Sequence, residues 1–229
     1  MLCLVLCAMG CATALPGASS MGSVEVEDEA VPARVAVWLG GGEQSEVTER
    51  IRKAAERLPG GSRRARLHRA MAHMWETFSY DPWLKTEAFQ RTADELFAGR
   101  VLCGCSDFAL VQIALFRALG IPARMVITCN VDWIHVYRRD GVSMAEGHSF
   151  IEVYLEDRWH LVDSTYRWLF SDYDPKAPFY PHGEIFCRRG MDFWDMGIQR
   201  MADLDRVLKE MVIRYEGGYQ APDYPRHPL

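Results

Sequence analysis

The chain has 229 residues, 49% hydrophobic and 25% charged, with a formal net charge of −5. That length supports one sizeable core and is short for two. The composition excludes a fibrous or wholly disordered chain, and the acidic balance gives no reason to expect nucleic acid as a partner.

The chain opens on an apolar run from Leu2 to Met9, closed by Ala8-Met9-Gly10-Cys11. Small residues before a cysteine resemble the bacterial lipoprotein cleavage site. The resemblance implies a signal peptide over residues 1–10, lipidation of Cys11 and attachment to a membrane through that lipid. The protein would then sit in the bacterial cell envelope, lipid-anchored, periplasmic or secreted. No Lys or Arg precedes the run, and translation from Met21 would instead leave a cytoplasmic protein. Residues 11–33 are small, acidic and Pro-containing, which reads as a flexible tether. No later stretch approaches the ~20 apolar residues that span a bilayer.

Glu43 to Leu58 reads as a helix stopped by Pro59-Gly60-Gly61. Ser62 then caps a second helix, on which Leu67, Met71, Met74, Trp75 and Phe78 share one face and predict core packing. Thr92-Ala93-Asp94-Glu95 is a capping box for a short helix ending near Gly99. The next helix begins at Cys105 and carries Phe108, Val111, Gln112, Leu115 and Leu119, with Gly120 as its stop. Its scarcity of charge predicts a central, buried position. Beyond it the pattern turns to strands at Arg124–Thr128, Ser149–Leu155 and Arg158–Val162. Only Glu156-Asp157 separates the last two, so they form an antiparallel hairpin. Residues 164–200 are dense in Pro, Gly, Tyr and Trp and read as an irregular cover. Asp203 to Tyr215 returns to helical spacing.

Seven cysteines, at 3, 7, 11, 103, 105, 129 and 187, show no disulfide framework. Cys103 and Cys105 are too close to bridge, while a Cys129–Cys187 bridge stays open. A thiol at a helix start meets the positive end of the helix dipole, which favours thiolate. His148 opens one strand of the hairpin and Asp163 closes the other, so the hairpin's open ends bring imidazole and carboxylate together. Thiolate, imidazole and an orienting carboxylate form a nucleophilic triad. Asp107 and Glu152 read as hydrogen-bonding supports. No metal site is expected: Cys103, Cys105 and His148 lack a fourth ligand, and His68 and His73 do not share a helix face. No cofactor is expected either, and His135, His160 and His182 have no partner that the sequence argues for.

Gly104-Cys105-Ser106-Asp107-Phe108-Ala109, Leu115 to Arg124, His148 to Leu155 and Trp159 to Thr165 together resemble the transglutaminase-like core of the papain-like cysteine enzymes. The resemblance covers residues 75–167. It implies an α+β, papain-like fold over residues 34–229, with the catalytic helix packed on an antiparallel sheet. It implies Cys105 as nucleophile, His148 as general base and acid, and Asp163 as orienter. The implied reaction is thiol-dependent acyl transfer at a protein or peptide amide, through a thioester. Hydrolysis is expected before transamidation, since no dedicated amine site is visible. The Cys105 N–H is a natural oxyanion donor, and Trp83 and Tyr80 are candidates for the second. Cys103 departs from the pattern, because many relatives carry glycine there, and it bears on how Cys105 oxidises. The alternative is a catalytically inactive module of the same fold that binds or scaffolds in the envelope.

Overall fold

A computed structural model describes residues 30–58, 60–141 and 144–229. The signal segment 1–10, the lipidation candidate Cys11 and the tether up to residue 29 lie outside the described residues. Among the described residues no helix is long and apolar enough to cross a membrane.

The helices are α1 (Ala33–Ala36), α2 (Glu49–Glu56), α3 (Arg63–Thr77), α4 (Ala93–Gly99), α5 (Cys105–Ala118), α6 (Val131–Asp140) and α7 (Met201–Arg214). Two short strands, β1 (Ser79–Tyr80) and β2 (Val101–Leu102), pair in parallel. The main sheet holds β3 (Ala123–Asn130), β4 (Ser149–Leu155), β5 (Arg158–Asp163), β6 (Trp168–Phe170), β7 (Phe179–Tyr180), β8 (Glu184–Gly190) and β9 (Arg226–Pro228). Its order is β7-β8-β3-β4-β5-β6-β9, with every pairing antiparallel. The architecture is the expected α+β arrangement of a helix packed on an antiparallel sheet.

Helix α5 is the axis of the core. Every residue from Ser106 to Arg117 is buried. Helices α2, α3 and α4 cover it on one side, and β3 and β4 on the other. Val111 and Ile113 each lower intrinsic helix propensity by well under ~1 kcal/mol. Burying each contributes ~1.5–3 kcal/mol, so packing decides the matter. Two of its neighbours, α3 and α4, begin where the sequence placed them. The Ser62 hydroxyl accepts from the Ala65 N–H at 3.3 Å, and Thr92 with Glu95 forms the full capping box.

Both charged residues of α5 are anchored. Near its C-terminal end, Arg117 donates to the Ser45 hydroxyl at 2.7 Å, the Met191 carbonyl at 2.7 Å and the Ala123 carbonyl at 2.9 Å. Burial pushes its pKa down to about 10, against the opposing charges of Asp192 and Asp195, so it stays charged at neutral pH. It thereby ties the segment before α2, the start of β3 and the chain after β8 to one helix.

Three expectations need correction. The helix expected from Glu43 is α2 and begins at Glu49. Gln44 and Ser45 are fully buried and spend their side chains elsewhere. Gln44 donates to the Phe89 and Arg91 carbonyls, both at 3.0 Å, and Ser45 donates to Asp192. Trp75 is 39% exposed rather than core; its ring lies against Phe108 at 5.0 Å. Residues 164–200 are not an irregular cover alone, for they include β6, β7 and β8, and β8 lies between β7 and β3. A register shift at Ile127/Thr128 breaks the alternation that would have marked β8.

The β4–β5 hairpin turns on Glu156 and Asp157, both left-handed at φ 51° and 59°. Such a two-residue turn matches strand twist. It sets Leu155 opposite Arg158 and Ile151 opposite Val162, and so carries Asp163 back to the start of β4.

Replacing Arg117 with Met removes the charge that these carbonyls and carboxylates face. A loss of ~3–5 kcal/mol is expected in urea unfolding at pH 7. His160, fully buried on β5, yields a pH prediction. Burial, then the charges of Arg64 and Arg158, push its pKa from 6.5 down to about 4. The unfolded chain therefore takes up the proton first, and the stability that rests on neutral His160 is lost as pH falls through that window. His160→Leu should lose less stability than wild type between pH 7 and pH 5 in the same urea assay.

Candidate active site

The chain leaves β2 at Leu102 and enters α5 at Cys105 through Cys103 and Gly104. Asp107, buried in the first turn, accepts from the Cys103 N–H at 2.9 Å and from Arg91 Nη2 at 2.5 Å. These bonds fix the approach to the helix, which is the supporting role expected of Asp107. No side chain caps the helix at Gly104, so its positive end faces the Cys105 thiol. The Cys103 thiol is buried, and desolvation with the Asp107 charge pushes its pKa up to about 12. It therefore remains a neutral thiol at any physiological pH.

His148 is held from behind. Its carbonyl accepts from the Thr128 N–H at 3.0 Å and the Thr128 hydroxyl at 3.1 Å. The preceding residue must be small, since a Cβ on Gly147 would sit 2.3 Å from the Thr128 carbonyl oxygen. The ring's Nε2 donates to Asp163 Oδ2 at 3.0 Å. The Cys105 thiol stands close enough to this ring and to Ser149 that both stabilise its ionised form. The fold thus brings Cys105, His148 and Asp163 together.

Asp163 is fully buried. Its Oδ1 accepts from the Thr165 and Tyr166 N–H groups, each at 3.0 Å. Its Oδ2 accepts from His148 and also from His182 Nε2 at 3.1 Å. Burial alone would raise the carboxyl's pKa. The hydrogen bonds from His148 and His182 outweigh burial and hold it well below the usual carboxylate range. Burial likewise pulls His148 down, but its bonds to Asp163 and Cys105 lift it well above the ordinary imidazole value. Burial pushes the Cys105 thiol up, and the bond to His148, the imidazole's charge and Ser149 bring it below an ordinary thiol. All three shifts favour a thiolate–imidazolium pair beside an ionised carboxylate.

Tyr80 and Trp83 stand differently. The Tyr80 ring lies 6.1 Å from Phe108, one turn along α5 from the thiol. Trp83 is 87% exposed. Among the described residues neither side chain donates a hydrogen bond to a group of the site. Glu152 is a support on β4, holding Arg124, Arg189 and the Tyr173 hydroxyl. A cavity of about 360 Å³ opens beside His148, walled by Lys85, Asn130, Glu146, Tyr166, His182 and Glu184. Among the described residues no group of three His, Cys, Asp or Glu side chains is arranged to hold a metal ion. Cys129 and Cys187 are free thiols, not a bridge.

Two residues escaped sequence reasoning. Ser149 was hidden as an ordinary strand residue, although its place beside His148 was a signal. His182, for which no partner was foreseen, reaches Asp163 across 19 positions of chain. Only the turn residues around it, Pro181 and Gly183, were visible.

Residues 52–164 match the family model of the transglutaminase-like superfamily. A solved structure of a candidate cysteine protease from Cytophaga hutchinsonii superposes with a TM-score of 0.53 at 19% identity, over 73% of this chain and 50% of that one. The chain therefore spans half the length of that structure. A candidate protease from Parabacteroides distasonis aligns at a TM-score of 0.38 and 11% identity, over 56% of this chain and 25% of its own. A TGase aligns at 0.35 and 16% identity, over 61% of this chain and 34% of its own. No curated protein matches the sequence. Residues 52–164 are thus similar to the transglutaminase-like superfamily, and the chain shares the fold of the Cytophaga hutchinsonii protein.

Proposed function

We propose that the protein is a cysteine hydrolase that cleaves amide bonds in proteins or peptides. The observation that carries this reading is the meeting of thiol, imidazole and carboxylate at Cys105, His148 and Asp163. The Cys105 thiolate attacks the amide carbonyl carbon, and the carbonyl electron pair moves onto oxygen. The Cys105 N–H at the uncapped helix start receives that oxyanion. Tyr80, whose ring already borders the first turn of α5, is the better placed candidate for the second donor. The imidazolium gives its proton to the leaving nitrogen, the C–N bond breaks and a thioester remains. Water, deprotonated by His148, then attacks the thioester and returns the thiol. Asp163 keeps the imidazole turned toward the sulfur and stabilises its charged form.

Hydrolysis is favoured over transamidation because the cavity beside His148 is open to water. We further propose a lipid anchor at Cys11 in a bacterial envelope, which places the substrates there. Mass spectrometry of the membrane fraction, with and without Cys11→Ser, tests the anchor. Loss of the lipid mass in the variant is expected, and an unmodified Cys11 in the wild type overturns it.

The reactive pair is tested by iodoacetamide alkylation of Cys105 against pH. Because the thiol is shifted downward, labelling should persist well below about pH 8, while His148→Ala should return it to an ordinary thiol titration near ~8.5. On a peptide library, Cys105→Ala should lower turnover by ~10³-fold or more and Asp163→Asn by ~10²–10⁴-fold. Full turnover by Cys105→Ala would defeat the mechanism.

A further inference from the structure

One oxygen of Asp163 serves two imidazoles. His148 Nε2 and His182 Nε2 donate to Oδ2 at 3.0 and 3.1 Å. The rings stand almost perpendicular, with centroids 6.2 Å apart. His182 reaches this place from a backbone at φ 65°, ψ 27°. A left-handed conformation is disfavoured for a residue with a Cβ. Such strain persists only where the surroundings over-determine it, and here they do. The His182 carbonyl accepts from Asn130 Nδ2 at 3.5 Å, and the next N–H, of Gly183, donates to the Tyr219 hydroxyl at 3.1 Å. The ring lies against Tyr166 at 4.9 Å and is stacked over Phe150 at 6.2 Å. Among the described residues the one side-chain hydrogen bond of the ring is to Asp163 Oδ2, so the strained turn delivers an imidazole to that oxygen.

We propose that His182 is a positioning residue, which shares the Asp163 carboxylate with His148 and so sets how tightly that carboxylate holds the His148 ring. The inference rests on reading His148 as the general base and acid. Two donors on one oxygen each draw on the same charge. With His182 in place, His148 receives only part of it. Without His182, the whole of that oxygen falls to His148, and the imidazolium holds its proton more firmly. A proton held too firmly is a slow donor to a leaving nitrogen. His182 therefore keeps His148 basic enough to form the ion pair and acidic enough to break it.

The other groups facing His148 do not duplicate this role. Cys105 faces it from α5, and Tyr166 lies over it from the turn after β5. Glu184 on β8 acts on both imidazoles by charge. Lys85 and Glu146 stand farther out on the cavity wall. Among the described residues only His182 joins His148 on Asp163 Oδ2.

The test is an NMR titration of the His148 ring in the full chain, for wild type, His182→Ala and His182→Gln, repeated in a Cys105→Ala background. His182→Ala should raise the His148 midpoint by about half a pH unit or more, the sense of giving an imidazolium more of its carboxylate. His182→Gln keeps an N–H donor for Asp163 and should restore the wild-type midpoint. An unmoved midpoint in folded His182→Ala overturns the proposal, as does an equal shift in both variants. If His182→Ala does not fold, the wild type decides through its ¹⁵N spectrum. His182 must then carry its neutral-state proton on Nε2, and the opposite tautomer overturns the assignment. None of these readings needs turnover. An inactive enzyme with the expected shifts would defeat the proposed function alone, and an active one without them would defeat only the role of His182.

Discussion

A helix without a polar face has to be enclosed on every side, and most of this structure is the enclosure of α5. Three helices and two strands surround it. Water reaches such a helix only at its ends. The charged groups on it accordingly lie near the ends, Asp107 beside Arg91 and Arg117 among the carbonyls of Trp38, Ala123 and Met191. The N-terminal end is left uncapped, and the thiol sits there. Burial of the helix thus fixes where its polar groups can emerge, before the residues around Cys105 are considered.

At that opening, desolvation opposes every charge. It raises Cys105 and Asp163 and lowers His148. Hydrogen bonds reverse all three tendencies. Asp163 alone collects four of them, two from backbone N–H groups and two from imidazoles. A buried carboxylate so surrounded has little reason to take up a proton, and the imidazole beside it has every reason to keep one. The residues behind the site serve this arrangement, with Thr128 gripping the His148 carbonyl and Gly147 permitting its close approach.

Much of this was visible in the sequence because it was local. Ser62, Thr92 with Glu95, and Glu156-Asp157 declare their structures within four residues, through caps and a turn. The apolar wrap of α5 and the order of Cys105, His148 and Asp163 placed the site on a helix start and a hairpin. What stayed hidden depends on contacts across the chain. Gln44 and Ser45 look helical until their carbonyl and carboxylate partners are known. Strand β8 is obscured by its irregular pairing with β3. His182 looks like one more turn residue, because its meaning lies in a carboxylate on another strand.

The two-residue turn at Glu156-Asp157 carries a rule of parity. Side chains along β5 alternate between the two faces of the sheet. A single residue gained or lost in this hairpin, with the pairing beyond it closed up, would turn Asp163 to the opposite face and put Val162 or Ser164 where the carboxylate now stands. Length changes compatible with the site therefore come in twos, or come with a bulge that absorbs the odd residue. Drift in this hairpin is quantised by the pleat, and the buried carboxylate of Asp163 is what counts the steps.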